Sequence, residues 1–361
     1  MSTHVAKNPP WSLAVPPLAL LLLVLTWGRD LGLFPVLLVA LGLVGSVVVA
    51  VHHAEVVALK VGEPFGTLIL AIAVTVIEVA LIVTLMVSGG DKTATLARDT
   101  VFAAIMITCN GVIGLSLVLG SLRHRVQEFR IEGATGALAT VTAMVTLSLV
   151  LPTFTSSSPG PTFTGPQLAF AGVASLTLYG VFVFVQTIRH RDYFLPPGSD
   201  DEDEHAAAPS RSTALTSLGL LVLCLVAVVG LAKTASPTIE EGVRYMGAPI
   251  SFVGVVIALL VLAPETVAAV RAARLNRIQT SLNLALGSAM ASIGLTIPVI
   301  GLATIWLTGP LHLGLGSVEM VLLALTVAIT TLTLNQPRGT LLQGAIHLVV
   351  FAGFVFLAVS P

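Results

Sequence analysis

The sequence predicts an all-α polytopic membrane protein of about eleven transmembrane helices, with one extra N-terminal helix followed by two inverted five-helix repeats. Three features of the chain lead there: its composition, the spacing of its apolar runs, and a short internal repeat. Only 10% of the 361 residues are charged against 55% hydrophobic, and the mean hydropathy is +0.99. A soluble domain carries roughly 25% charged residues, so most of this chain belongs in lipid. The composition excludes a water-soluble enzyme, and a formal net charge of −1 cannot supply the basic surface that a nucleic-acid binder needs. Cys109 and Cys224 both sit inside apolar runs. Two such residues make neither a disulfide framework nor a zinc site and read as small core residues.

A helix needs about 20 apolar residues to cross roughly 30 Å of hydrocarbon. Runs of that kind lie near 13–28, 32–59, 65–88, 100–121, 134–152, 166–188, 213–232, 247–270, 281–305, 316–334 and 340–359. The first is the shortest, and Lys7 ahead of it resembles a signal-peptide start, but no A-x-A cleavage pattern follows Trp27, so it counts as a span. The second carries VHHAEVV, with His52, His53 and Glu55. Adjacent residues point to different faces of a helix and no third ligand is evident, so these side chains read as polar packing or, for His53, a proton path rather than a transition-metal site. Between spans six and seven, a Pro-Pro-Gly-Ser stretch leads into Asp200, Asp201, Glu202, Asp203 and Glu204. This acidic run is a solvated linker by composition, and a cation-attracting cytosolic segment on a sharper reading.

Orientation follows from the basic residues. Lys7, Lys60, Arg123, Arg125, Arg130, Arg189, Arg191, Arg211, Arg271, Arg274, Arg277 and Arg338 fall on the side of the N-terminus; Arg29, Lys92, Arg98, Lys233 and Arg244 fall on the other. The excess puts the N-terminus in the cytoplasm and the C-terminus outside.

Across the acidic run, Ile113-Gly114-Leu115-Ser116 in span four is echoed by Ile293-Gly294-Leu295-Thr296 in span nine, and the same offset pairs Thr100 with Thr280 and Thr108 with Ser288. Spans two to six and seven to eleven are five helices each, so the second set enters the membrane from the opposite side. The expected organisation is an N-terminal helix (1–30), a first repeat (31–192), the acidic linker (193–212) and a second repeat (213–361). Inverted repeats place a substrate site near the midplane, with alternating access from one part rocking against the other.

An ionised side chain at the bilayer centre costs about 3 kcal/mol on insertion scales, so an intramembrane carboxylate is a functional candidate. Glu78 in VTVIEVALIV lies about 22 Å of helix after Glu63 and about 16 Å before Gly89, near mid-membrane. Glu265 in LVLAPETVAAV lies only about 9 Å before Arg271, which places it near the cytoplasmic end, either paired with Arg271 or Arg274 or beside a helix break at Pro264. Thr75 precedes Glu78 by one turn, and Thr108 and Ser288 occupy matching positions on the next helix of each repeat. Carboxylates and hydroxyls are the oxygen ligands that hard cations such as Ca²⁺ take. Glu319 in span ten and His347 in span eleven are candidates for a proton path or for a buried hydrogen-bonded pair.

The segments GEPFGTLILAIAVTVIEVALI (62–82) and APETVAAVRAARLNRIQTSLNLALGSAMASIGLTIP (263–298), the acidic run, and GSVEMVL with GAIHLVVFA near the end resemble the ChaA-type bacterial cation/proton antiporters, similar to the CAX branch of the calcium/cation antiporter superfamily. The resemblance covers nearly the whole chain, in order. It implies a multi-pass protein of the bacterial inner membrane that exports Ca²⁺, with Na⁺ or K⁺ as further cargo, in exchange for protons. By it, Glu78 and Glu265 fall on the two repeat glutamates that bind cation and proton, and Ser288 on a polar ligand position. The asparagine of the wider pattern, three residues before each glutamate, is here Thr75 and Leu262, which leaves fewer side-chain oxygens for strict Ca²⁺ selectivity. No resident cofactor is implied, because the cation is bound transiently as cargo, and a homo-oligomer is left open. A monovalent exchanger with little Ca²⁺ transport and a cation channel are the alternatives. An intramembrane enzyme is disfavoured, since no GxSxG, HExxH or paired-aspartate motif occurs in any span.

Overall fold

The computed structural model describes residues 8–29, 31–62, 65–197, 209–245, 247–306 and 310–361. All eleven apolar runs are helical. In chain order the helices are α1 (Pro10–Thr26), α2 (Leu33–Val61), α3 (Phe65–Gly89), α4 (Leu96–Met106), α5 (Ile113–His124), α6 (Ile131–Val145), α7 (Gly165–Phe184), α8 (Arg211–Tyr245), α9 (Phe252–Arg274), α10 (Ile278–Ala303), α11 (Ser317–Leu334) and α12 (Leu341–Val359). A π-helical turn, Ile107–Val112, joins α4 and α5 into the fourth span. Among the described residues, ten helices are long and apolar enough to cross a membrane, while α1 has 17 residues. At 1.5 Å per residue that is about 25 Å, a little short of the hydrocarbon thickness.

The helices pack as two compact units, one built from residues 1–89 and 201–246, the other from 90–200 and 247–361. This division does not follow chain order: α8, expected from the sequence to open a second repeat, packs with α1, α2 and α3. In the first unit α8 lies along α2, α3 and α1. Near one end of α1 the Ser217 hydroxyl of α8 donates to Asn8 Oδ1 at 3.2 Å, and at its other end Lys233 of α8 sits 5.3 Å from the Trp27 ring.

In the second unit α10 is surrounded by α7, α9 and α6, α12 lies along α5, and α4 along α9. Its loops are tied at both ends. At one end β1 (Gln127–Glu128) pairs antiparallel with β2 (Arg338–Gly339), and Gln127 Nε2 donates to Ala273 O at 2.7 Å. The Arg130 amide donates to Gln279 Oε1, and Asn283 Nδ2 to Phe194 O. At the other end the 312–315 segment is held by backbone bonds from His312 to Ala94 O, Gly314 to Pro161 O and Leu315 to Leu149 O. A helical membrane domain leaves its polar loop backbone outside the lipid, and here those groups are spent on one another.

Candidate functional site

Each candidate cation-binding residue lies close to the middle of its own helix or span. In the first unit, Glu78 is the central residue of the 19-residue apolar stretch Ile69–Val87. Its side chain is 5% exposed, and Thr75, one turn earlier, is equally buried.

In the second unit, α9 runs without interruption from Phe252 to Arg274 and so extends four residues beyond the expected end of span eight. Glu265 therefore sits two residues past the helix midpoint rather than near the cytoplasmic end, and Arg271 and Arg274 form the last turn. Long basic side chains tolerate such a place because their heads reach the interface while their stems stay in lipid. Pro264 lies within the helix and does not break it. The ring still lacks an N–H, so the carbonyl of Leu260 has no partner four residues on. One turn away the Thr266 hydroxyl donates to Leu262 O at 2.7 Å.

Thr108 lies in the π-turn, two residues before Asn110, the central residue of the span Leu96–His124. Its hydroxyl donates back to Ala104 O at 2.8 Å, which leaves the oxygen lone pairs as an acceptor. A π-turn widens the helix and is frequent at functional sites. Ser288 is half-buried near the middle of α10. The repeated motif falls next to these residues: Ser116 of α5 and Thr296 of α10 are fully buried, and the Ser281 hydroxyl donates to Ser116 Oγ at 2.7 Å.

The candidates for a proton path do not form one network among the described residues. His53 is buried in the first unit with Nε2 3.0 Å from Ser12 O, and the His52 ring lies 5.3 Å from that of Trp11 in a tilted contact, so both bind α1 to α2. Glu319 occupies the first turn of α11, where a carboxylate is favoured by the helix dipole. It lines a small cavity of 70 Å³ together with Asp99, Phe102, Ser251 and Phe354. Asp99 is itself paired with Arg98 at 2.7 Å and accepts from Thr95 Oγ1 at 2.8 Å. His347 touches α11 at Thr333, fourteen residues and about 21 Å of helix from Glu319. The acidic run 200–204 lies outside the described residues. Among the described residues no group of three or more His, Cys, Asp or Glu side chains converges as a metal cage.

Sequence reasoning passed over Asn110. Its carboxamide is fully buried and bonded to Thr326 and His347. The signal was present in MITCNGVIG, where an amide stands uncompensated in a charge-free run, but its partners are more than 200 residues away.

Residues 31–188 and 216–360 match the sodium/calcium exchanger protein family. The chain belongs to that family. The match spans both sides of the acidic run and contains Glu78, Thr108, Glu265 and Ser288. Within the sodium/calcium exchanger family the chain is similar to the putative ionic transporter y4hA of Sinorhizobium fredii, at 45% identity over 100% of this chain and 98% of that one. It is also similar to the sodium-potassium/proton antiporter ChaA of Escherichia coli, at 35% identity over 97% and 96% of the two chains. The solved structure of native YfkE shares the fold, with a TM-score of 0.72 at 18% identity over 97% of this chain and 99% of that one. The resemblance read from the sequence thus rests on the family and on full-length similarity.

Proposed function

We propose that this protein is a secondary cation/proton antiporter that moves Ca²⁺, and with it Na⁺ or K⁺, out of the cytoplasm in exchange for protons by alternating access. The observation that carries this reading is Glu78, a buried carboxylate at the exact centre of an apolar stretch, with its repeat counterpart Glu265 near the midpoint of α9. An ionised carboxylate inside a membrane span is costly unless it is compensated, so such groups hold either protons or cation charge. Two cargoes competing for the same carboxylates cannot cross together, and that exclusion is antiport.

Thr75, Thr108 and Ser288 add hydroxyl oxygens, each near the middle of its own helix or span, a donor set suited to hard cations. The two separately packed units supply the parts that alternating access requires to move. The relatives support the cargo class: one is named a sodium-potassium/proton antiporter, another, from Aphanothece halophytica, a Ca(2+)/H(+) antiporter. The protein acts as a transporter and not as an enzyme, in the bacterial inner membrane with its N-terminus cytoplasmic. Asp200 to Glu204, an acidic run by sequence, attract cytosolic cations.

A second reading, an exchanger for monovalent ions with little Ca²⁺ transport, is favoured by Thr75 and Leu262, which stand where the wider pattern has asparagine. The test is collapse of an imposed pH gradient in vesicles on adding Ca²⁺, Na⁺ or K⁺ separately. Collapse by Na⁺ and K⁺ alone selects the second reading. Cation flux that moves no protons would overturn both.

A further inference from the structure

His347 of α12 is fully buried and touches the middle of span four. It reaches there because two backbones meet. Gly344, His347 and Phe351 share one face of α12, being three and four residues apart. A Cβ at Gly344 would lie 2.7 Å from the backbone nitrogen of Val118, and one at Gly114 would lie 3.1 Å from Gly344 O. At Gly111 it would meet the Phe351 ring at 3.5 Å. Only with glycines at this crossing does the imidazole come level with Asn110.

The hydrogen bonds then run in one direction. Asn110 Nδ2 donates to Thr326 Oγ1 at 2.8 Å, which turns Asn110 Oδ1 toward His347 Nδ1 at 3.1 Å. An amide oxygen only accepts, so Nδ1 carries the hydrogen. In the neutral ring Nε2 is then an acceptor, and it takes the Thr333 hydroxyl at 3.1 Å. Thr326 Oγ1 passes its own hydrogen to Met106 Sδ at 3.4 Å. Both ring nitrogens and both amide groups are used with the imidazole neutral. No carboxylate or basic side chain enters the chain of bonds, which runs through Thr333, His347, Asn110, Thr326 and Met106, with the Cys109 backbone also bonded to the imidazole.

The same bonds hold one residue of the turn, Asn110. Residues two apart lie roughly 200° apart around a helix, so drawing Asn110 toward α11 and α12 turns Thr108 to the opposite side of Ile107–Val112. The other helices packed on that turn are α9 and α10, which carry Glu265 and Ser288.

We propose that His347 is a positioning residue for the cation site: as a neutral donor it holds Asn110, and through Asn110 it sets the π-turn so that Thr108 faces the transported cation. It does this in place of relaying protons. This inference rests on the cation/proton exchange described above and assigns a role to a residue that does not itself touch the cargo.

The experiment uses the full chain in proteoliposomes, reading the cation dependence and pH profile of proton flux for Na⁺, K⁺ and Ca²⁺. His347→Asn keeps a donor near the Nδ1 position but cannot titrate, and is expected to preserve the pH profile and to leave the cation KM within about twofold, since the hydrogen bond survives. His347→Leu removes the donor and is expected to raise the cation KM roughly tenfold, the loss of about one buried hydrogen bond, with a near-normal maximal rate. Thr326→Val cuts the chain at its other end without touching His347 and should raise KM in the same direction. The double variant should be no worse than the more affected single one. A shifted pH profile or lost proton coupling in His347→Asn would make His347 a relay and overturn the proposal. So would an unchanged KM in His347→Leu and Thr326→Val. Should His347→Leu fail to fold, His347→Asn and Thr326→Val decide between the same outcomes. Absence of exchange in the wild-type protein would refute the antiporter reading instead, whereas active wild-type exchange with an unmoved KM refutes only the role of His347.

Discussion

Glu78→Gln keeps nearly the volume of the glutamate and leaves a buried polar group in place, but it cannot cycle a proton. Exchange in vesicles should fall to background while the detergent-solubilised protein elutes as wild type does, and Glu265→Gln should behave in the same way. Retention of proton efflux by either variant would remove that residue from the site. The Ser281–Ser116 hydrogen bond gives a prediction on stability. Ser281→Ala leaves Ser116 buried without this donor and should cost about 1–3 kcal/mol, whereas the double alanine variant should lose less than the two singles summed; thermal unfolding in detergent measures both. Glu78, Thr75, Thr108 and Ser288 stood out in the sequence as candidates because each is a polar letter inside an apolar run. Asn110 met the same criterion, but the weight it deserves depends on His347, and no short-range pattern links residues 110 and 347.

At the scale of elements, the helices could be read directly, since runs of about 20 apolar residues leave a chain in lipid little else to form. Their ends were less legible. Span eight was expected to stop at the first arginine, yet α9 runs through Arg271 to Arg274. That single shift moves Glu265 from the rim to the middle of its helix. The π-turn Ile107–Val112 carries no breaker signal, since its one glycine, Gly111, serves the contact with Phe351. It holds Asn110, which is bonded to Thr326 of α11 and His347 of α12. The α5–α12 crossing can be tested on its own: Gly344→Val brings side-chain carbon against the backbone of α5 and should destabilise the protein by roughly 1–3 kcal/mol. A melting temperature equal to wild type would mean that the two backbones do not meet there.

For the whole molecule, the eleven-helix plan was legible and the grouping by packing was not, because α8 follows the acidic run in sequence yet packs with α1, α2 and α3, which precede it. Sequence periodicity tells which face of a helix is apolar, not which neighbour covers it. The pH dependence of the protein also belongs to this scale. In the exchange proposed above, protons and cations compete for the ionised form of Glu78 and Glu265, so cation affinity should weaken as the pH falls through the range where those carboxylates take up protons. By linkage, binding must release protons: up to about two for a divalent ion that needs both groups ionised, fewer for Na⁺ or K⁺. Titrating the purified protein with each cation in weakly buffered detergent counts them, and binding without release at an active pH refutes the shared site. Neutralising Asp200, Asp201, Glu202, Asp203 and Glu204 together should leave exchange intact but raise the cytosolic cation concentration it needs, most at low ionic strength. An unchanged dependence would make the run a linker only.

The ties across the second unit have a consequence for how the protein is made. Gln127 pairs with Gly339, Leu149 with Leu315, and Asn110 with His347, so each bond joins segments that leave the ribosome far apart in time. Helices α4 to α6 must enter the bilayer and wait there, with the Asn110 amide and the open edge of Gln127–Glu128 unmet, until α11 and α12 have been synthesised. Insertion and completion of the fold are therefore separate events, and the half-made unit exposes polar groups that other chains could capture. Slow translation between α6 and α11 should lengthen that interval and increase the fraction of nascent chains held by membrane chaperones.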